Sequence, residues 1–349
     1  MVVREASRDI LGVVNKLFSF LLAGLLTATM ARAADNLKDR DTTAAARSPD
    51  ADDPADKEYR KLMEDDDEAH QEVDRWIREA QEFAAKGAKG ALDTLSGRVK
   101  ERLAPVRKAY EEFIVTHPKH AKVRIAFGSF LNDLGEETAA VDQWEKALEV
   151  DPTIPSIYNN LANYYGHHGP VRKAFEYYGK AMNLRTNESV YCWNLATTIY
   201  LFRKDAMDYY TLDETGVFDK ALDYYRQALR LDPTNFILAA DYSESFYGTK
   251  PPRWKDGLAA WEDTLKIAKT DVEREGVHVH FARIKLKLGK LEEAQRDLNG
   301  VTNEMYAALK ATLQKNINAA RTKATNAAVD TPAGTNSPPA EFKSVAPAK

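Results

Sequence analysis

The side chains best equipped for chemistry in this chain are its seven histidines and its single cysteine. A zinc protease site needs two histidines four apart on a helix with a glutamate beside the first. No histidine pair has that arrangement. His117 and His120 flank Pro118 in a connection, His167 and His168 are neighbours in a predicted turn, and His278 and His280 stand two apart on different faces of a helix. Cys192, between Tyr191 and Trp193 in a predicted helix, has the setting of a small buried hydrophobe rather than of a nucleophile. One cysteine also excludes an internal disulfide and a Cys-rich zinc module. The sequence holds no GxxxxGK[ST] or GxGxxG phosphate loop and no GxSxG elbow. Carboxylate pairs are plentiful, as on any charged helical surface. The expectation is no catalytic residue, no metal site and no cofactor: a binding protein, not an enzyme.

The elements that would position a binding surface come next. The chain has 349 residues, 44% hydrophobic and 29% charged, which is globular composition with room for one or two cored domains. Its formal charge is -4, without the basic excess of a nucleic-acid binder. Residues 1–33 read as a secretory signal peptide. Basic residues precede an uncharged run from Leu17 to Met30, and Ala31-Arg32-Ala33 forms the small-residue cleavage site. The run is short for a spanning helix, and no Cys follows it for a lipid anchor. The expected mature protein is exported across the inner membrane, most simply to a periplasm, with no stable membrane insertion.

Residues 34–64 read as a disordered leader, since 34–57 contain one large aliphatic residue, Leu37. The acidic run Glu64–Glu68 reads as a solvated helix start. Val73, Trp76, Ile77, Ala80, Phe83 and Ala84 fall at helical spacing. Residues 65–120 then hold N-terminal helices, with Val106, Tyr110, Phe113 and Pro118 as the second helix of a degenerate first repeat.

Self-similarity follows. Ala140, Trp144, Ala147 and Pro152 recur 34 residues later as Ala174, Tyr178, Ala181 and Thr186, and again as Ala221, Tyr225, Ala228 and Pro233. Upstream in each unit, Phe127-Gly128, Leu131 and Gly135 recur as Leu161-Ala162, Tyr165 and Gly169, and Leu195-Ala196 and Ile199 follow. Small residues suit close helix crossings, large aromatics fill the space beside them, and glycine permits the tight turn. The pattern resembles the tetratricopeptide repeat. That resemblance implies an all-α fold, a right-handed superhelical solenoid of antiparallel helix pairs. Repeats fall at 121–154, 155–188, 189–235, 236–271 and 275–301, with a capping helix at 302–322 and a disordered tail at 323–349. Met305, Leu309, Leu313 and Ile317 form the apolar stripe of the cap. The third repeat is 13 residues too long, and the excess lies within Phe202–Phe218. This insertion loop, with Tyr209 and Tyr210, either binds a partner at the edge of the solenoid or packs its own tyrosines.

The resemblance also places the first helix of each pair along a concave groove. It assigns to that groove Asn159, Asn160, Asn163 and His167 from the second repeat and Trp193, Asn194, Thr197 and Tyr200 from the third. Asp241 and Ser245 follow from the fourth, and His280 from the fifth. Asn160, Asn194 and Asp241 share one repeat position and are similar to a short asparagine ladder. Amides of this kind either bond the main chain of an extended peptide or satisfy one another. The basic residues of the family's carboxylate clamp are missing: Ile125, Ser129, Asn160, Val190 and Asn194 stand there. The expected function is an extracytoplasmic interaction module that binds a protein or peptide segment in envelope assembly or secretion. The alternative is an accessory subunit of an envelope or polysaccharide-processing enzyme or transporter.

Overall fold

The computed structural model describes residues 53–85 and 91–329. The expected signal peptide, most of the expected leader and residues 330–349 lie outside the described residues. The described chain is all-α and forms two compact units, one ending at Arg253 and the other beginning at Trp254.

The first unit opens with two long helices, α1 (Pro54–Ala85) and α2 (Ala91–Thr116). This corrects the leader boundary at 64: helix starts at Pro54, because Tyr59 and Leu62 give its first turns an apolar stripe to bury. The run Glu64–Glu68 is mid-helix rather than a helix start. Its central Asp66 turns inward, where Oδ2 accepts from the Tyr110 hydroxyl at 2.6 Å and Oδ1 lies 2.8 Å from His70 Nδ1. Val106, Tyr110 and Phe113 lie on a helix that already begins at Ala91. Pro105 sits inside one continuous α2, at the cost of a single backbone donor. Phe83, expected on the apolar stripe, is 58% exposed.

Next come the pairs α3 (Ala121–Asp133) with α4 (Glu137–Val150) and α5 (Pro155–His168) with α6 (Val171–Leu184). Gly135 and Gly169 turn each pair at φ of 77° and 71°, a region where a Cβ is strained. The third pair is α7 (Ser189–Leu201) with α9 (Glu214–Leu231). Between them the insertion forms a short helix rather than a loop, α8 (Arg203–Tyr210), anchored by the fully buried Ala206. Ala140, Ala147, Ala174, Ala181 and Ala228 have no exposed surface, and Trp144, Tyr178 and Tyr225 fill the space beside them. Each of these aromatics also reaches its own first helix. Trp144 Nε1 donates to the Ile125 carbonyl at 3.2 Å, the Tyr178 hydroxyl donates to Asn163 at 2.6 Å, and the Tyr225 hydroxyl lies 2.9 Å from Thr197 Oγ1.

The expected fourth repeat, 236–271, straddles the boundary between the units. Helix α10 (Phe236–Ser245) packs on α9 and α7 in the first unit, and α11 (Trp254–Ile267) packs on α12 (Asp271–Lys287) in the second. Pro251 and Pro252, which lack N–H donors, end the regular structure between them. In the second unit α12 pairs with α13 (Leu291–Asn299) through Gly289 at φ 75°, and α14 (Ala307–Val329) covers them with Leu313 and Ile317. The cap therefore starts later than 302 and runs seven residues into the expected tail. Met305 and Leu309, assigned to its stripe, face solvent.

Candidate functional site

The residues assigned to the groove lie on α5, α7, α10 and α12, and Asn159, Asn163, Trp193, Asn194 and Asp241 are bonded among themselves. Helix α7 carries no polar face: every residue from Ser189 to Ile199 is buried. Its Asn194 is 3% exposed and donates to Asn159 Oδ1 at 3.0 Å and, more weakly, to Asn163 Oδ1 at 3.4 Å. Asn163 accepts from Tyr178, and Thr197 shares its hydrogen bond with the Tyr225 hydroxyl. Trp193 is 4% exposed and its indole donates to Asp241 Oδ2 at 2.9 Å. Ser245 is buried and returns its hydroxyl to the Tyr242 carbonyl. Tyr200 is half-buried, with the Arg203 guanidinium 5.4 Å over its ring. His280 belongs to the second unit, where its ring stacks on Trp261 at 4.0 Å, and burial pushes its imidazole down to about 3.

The asparagine ladder is thus corrected at its centre. Asn194 is spent inside the protein, because α7 is covered by α6, α9 and α10 and a buried amide must find partners there. Asn160 differs. It is half-exposed on α5, and its amide touches Ser129 Oγ of α3 at 3.5 Å, the limit of a hydrogen bond. Ile125, Ser129, Asn160 and Asn163 remain half-exposed on α3 and α5, with His167 exposed at the end of α5. One turn apart on α5, Ser156 Oγ and Asn159 Nδ2 are buried without a hydrogen-bond partner. Ser156 was not singled out from sequence, although it precedes Asn159 by three residues and so shares its helix face.

The two asparagines should therefore separate in a melt. Asn194→Ala strands Asn159 Oδ1, and leaving a buried polar group unpaired costs about 1–3 kcal/mol. Thermal unfolding should show a clear loss of midpoint for Asn194→Ala and none for Asn160→Ala. Equal midpoints would mean that the buried amide pair contributes nothing.

Burial pushes the Asp241 carboxyl up to about 7, nearby Glu244 adds to the rise, and the Trp193 indole partly opposes it. The insertion tyrosines are packed. Tyr209 and Tyr210 lie 5.2 and 5.6 Å from Phe175 of α6, ring centre to ring centre. Among the described residues no group of three or more His, Cys, Asp or Glu side chains is placed to hold a metal ion.

Stacked helix pairs, small residues at their crossings and one aromatic per pair returning to its own first helix define a helical-repeat protein. Residues 210–235 match the tetratricopeptide repeat family, and the same register runs through the neighbouring pairs. The chain thus contains a tetratricopeptide repeat, and its described residues have the all-α architecture of tetratricopeptide-like helix pairs. It is similar to the Photosystem I assembly protein Ycf3 of Rippkaea orientalis, with 29% identity over 134 residues, 36% of this chain and 78% of that protein. The Ycf3 of Cyanophora paradoxa is 28% identical over the same shares of the two chains. Among solved structures, the type IV pilus biogenesis factor PilW is 14% identical, with a TM-score of 0.49 over 70% of this chain and 99% of PilW. YrrB, described as a TPR protein with an unusual peptide-binding site, is 16% identical, with a TM-score of 0.46 over 60% of this chain and 99% of YrrB.

Proposed function

We propose that this chain is an extracytoplasmic protein-interaction module. It holds a partner segment against its first helices at α3 and α5, in assembly or secretion work at the cell envelope. The observation that carries the reading is the Asn160–Ser129 pair. It is a half-exposed amide and hydroxyl on adjacent first helices, with bonding capacity left over once their long mutual contact is made. Such groups bond a main chain without demanding its sequence. The similarity to assembly proteins suits a helix array that presents surfaces rather than chemistry. Export rests on the sequence of residues 1–33. Among the described residues no helix is long and apolar enough to cross a membrane.

One preparation tests both parts. A photo-crosslinking amino acid is placed at 160 or at 194 in protein expressed in a Gram-negative host. The mature protein should begin at Ala34, and position 160 should crosslink a partner while buried position 194 should not. A retained Met1 would remove the extracytoplasmic part. Silence at 160 and at 129 in an envelope extract would remove the binding face.

A further inference from the structure

The outward faces of the second helices carry a pattern of their own. Residues 173, 177, 180 and 184 fall on one face of α6, and 220, 224, 227 and 231 on the matching face of α9. The first set is Lys, Tyr, Lys, Leu and the second Lys, Tyr, Gln, Leu. The signal was present in sequence as Lys173-Ala-Phe-Glu-Tyr-Tyr and Lys220-Ala-Leu-Asp-Tyr-Tyr, 47 residues apart. Interior packing takes the alanine, the residue after it and the second tyrosine of each motif. The lysine and the first tyrosine are left to solvent or half-exposed.

The cations on this face lie over rings instead of carboxylates. Lys173 Nζ is 4.5 Å above the Tyr165 ring and 3.3 Å from its hydroxyl. Lys180 Nζ is 5.6 Å from the Tyr158 ring and 5.4 Å from that of Tyr177. Lys220 Nζ is 4.4 Å above Tyr210 and 5.4 Å from Tyr224. None of the three stands in an ion pair among the described residues, whereas the acids of the same helices are taken: Glu176 by Arg172 and Asp223 by Arg226. Exposed Glu145 acts on Lys173 only through space. The stripes end in exposed aliphatic residues, Leu184 at 45% and Leu231 at 40%. Helix α8 closes the interval between them, because Tyr209 and Tyr210 pack on Phe175 while Arg172 and Lys220 cover their rings.

We propose that this α6–α8–α9 face is a second docking surface, occupied by an acidic amphipathic helix of a partner protein. It lies on helices other than those of the groove and does not depend on that reading. Lys173 and Lys180 are seven residues apart, about 10 Å along the helix axis at 1.5 Å per residue. Carboxylates two turns apart on a partner helix meet that spacing, and its aliphatic residues meet Leu184 and Leu231. Tyrosine rings give contact area at small cost in side-chain entropy and are frequent interface anchors. Glu176 and Asp223 are held by Arg172 and Arg226, so the unpaired charge on this face is a few discrete lysines, which suits discrete carboxylates better than a uniform anionic layer.

The probe is a labelled synthetic helix of Leu-Glu heptads, with a twin carrying Gln for every Glu. Binding to the full-length mature chain is read by fluorescence anisotropy. The acidic helix should bind and weaken with salt, and the Gln twin should bind at least tenfold more weakly. Combined Lys173→Glu, Lys180→Glu and Lys220→Glu should cost at least tenfold, and Leu184→Ser with Leu231→Ser a similar loss, with circular dichroism unchanged. Asn160→Ala should bind as wild type, which separates this surface from the first-helix face. Equal binding of the two peptides would overturn the proposal. So would undiminished binding by both folded variants, or vesicles of anionic lipid binding through these lysines where the peptide does not. Concentration-dependent self-association lost in the lysine variant would assign the surface to a second copy and equally overturn it.

Discussion

Gly128→Val should lower the thermal midpoint of the first unit by about 6–12 °C. Gly128 lies where α3 crosses α4, and a Cβ there would meet Trp144 at 2.6 Å from Cδ1 and 2.9 Å from Cε2. The ring has nowhere to retreat, since Trp144 is 4% exposed and its indole is tied to the Ile125 carbonyl. Overpacking of this kind costs about 3 kcal/mol, and each kcal/mol moves the midpoint of a unit this size by roughly 2–4 °C. Near-ultraviolet circular dichroism should report the displaced tryptophan directly. The control is Gly179→Ala on α6, where a Cβ meets nothing within 4 Å. That change should be neutral or stabilising, because alanine is the better helix former. A Gly128→Val midpoint equal to wild type would mean that the small residue is not what permits the crossing.

The second large effect is a pH dependence centred on Asp241. Its carboxyl is pushed from an ordinary 3.8 up to about 7 in the folded protein. The folded state therefore holds a proton across that interval that the unfolded chain has already released. The contribution of Asp241 to stability is fully present below about pH 4 and is lost as pH rises toward 7, the opposite of the usual paired carboxylate. A shift of this size corresponds to about 4 kcal/mol when fully expressed, and the partial exposure of Asp241 brings the expected loss to about 2 kcal/mol. Asp241→Asn keeps an acceptor for the Trp193 indole and removes the titration. Denaturant midpoints from pH 4 to 8 should slope for the wild type, and the slope should be shallower in the variant. Parallel slopes would place the proton uptake elsewhere.

The repeat register was legible because packing repeats. Ala140, Trp144 and Ala147 and their equivalents sit at crossings whose geometry recurs every 34 residues, so the same residue types recur with it. The polar residues were harder to place. Position alone puts Asn160 and Asn194 on the same face, yet the fate of each amide depends on what covers its helix. The covering helices decide this locally, since α6, α9 and α10 bury α7 while α5 keeps part of its face open. The N-terminal boundaries were missed for a related reason. Tyr59, Leu62 and Asp66 are too sparse in an acidic segment to signal helix until Tyr110, Phe113 and His70 are beside them. Lys173 and Lys220 were visible as a repeated motif, but a lysine in a sequence does not reveal that it lacks a carboxylate neighbour.

The polar groups of the second-helix aromatics bond within their own pairs: Trp144 to Ile125, Tyr178 to Asn163, Tyr225 to Thr197. A whole pair can be duplicated or lost without stranding any of those donors. The bond from Asn194 to Asn159 is different, because it runs from the third pair to the second. It commits those two pairs to each other, so that a recombination falling between His168 and Ser189 would leave a buried amide without its partner.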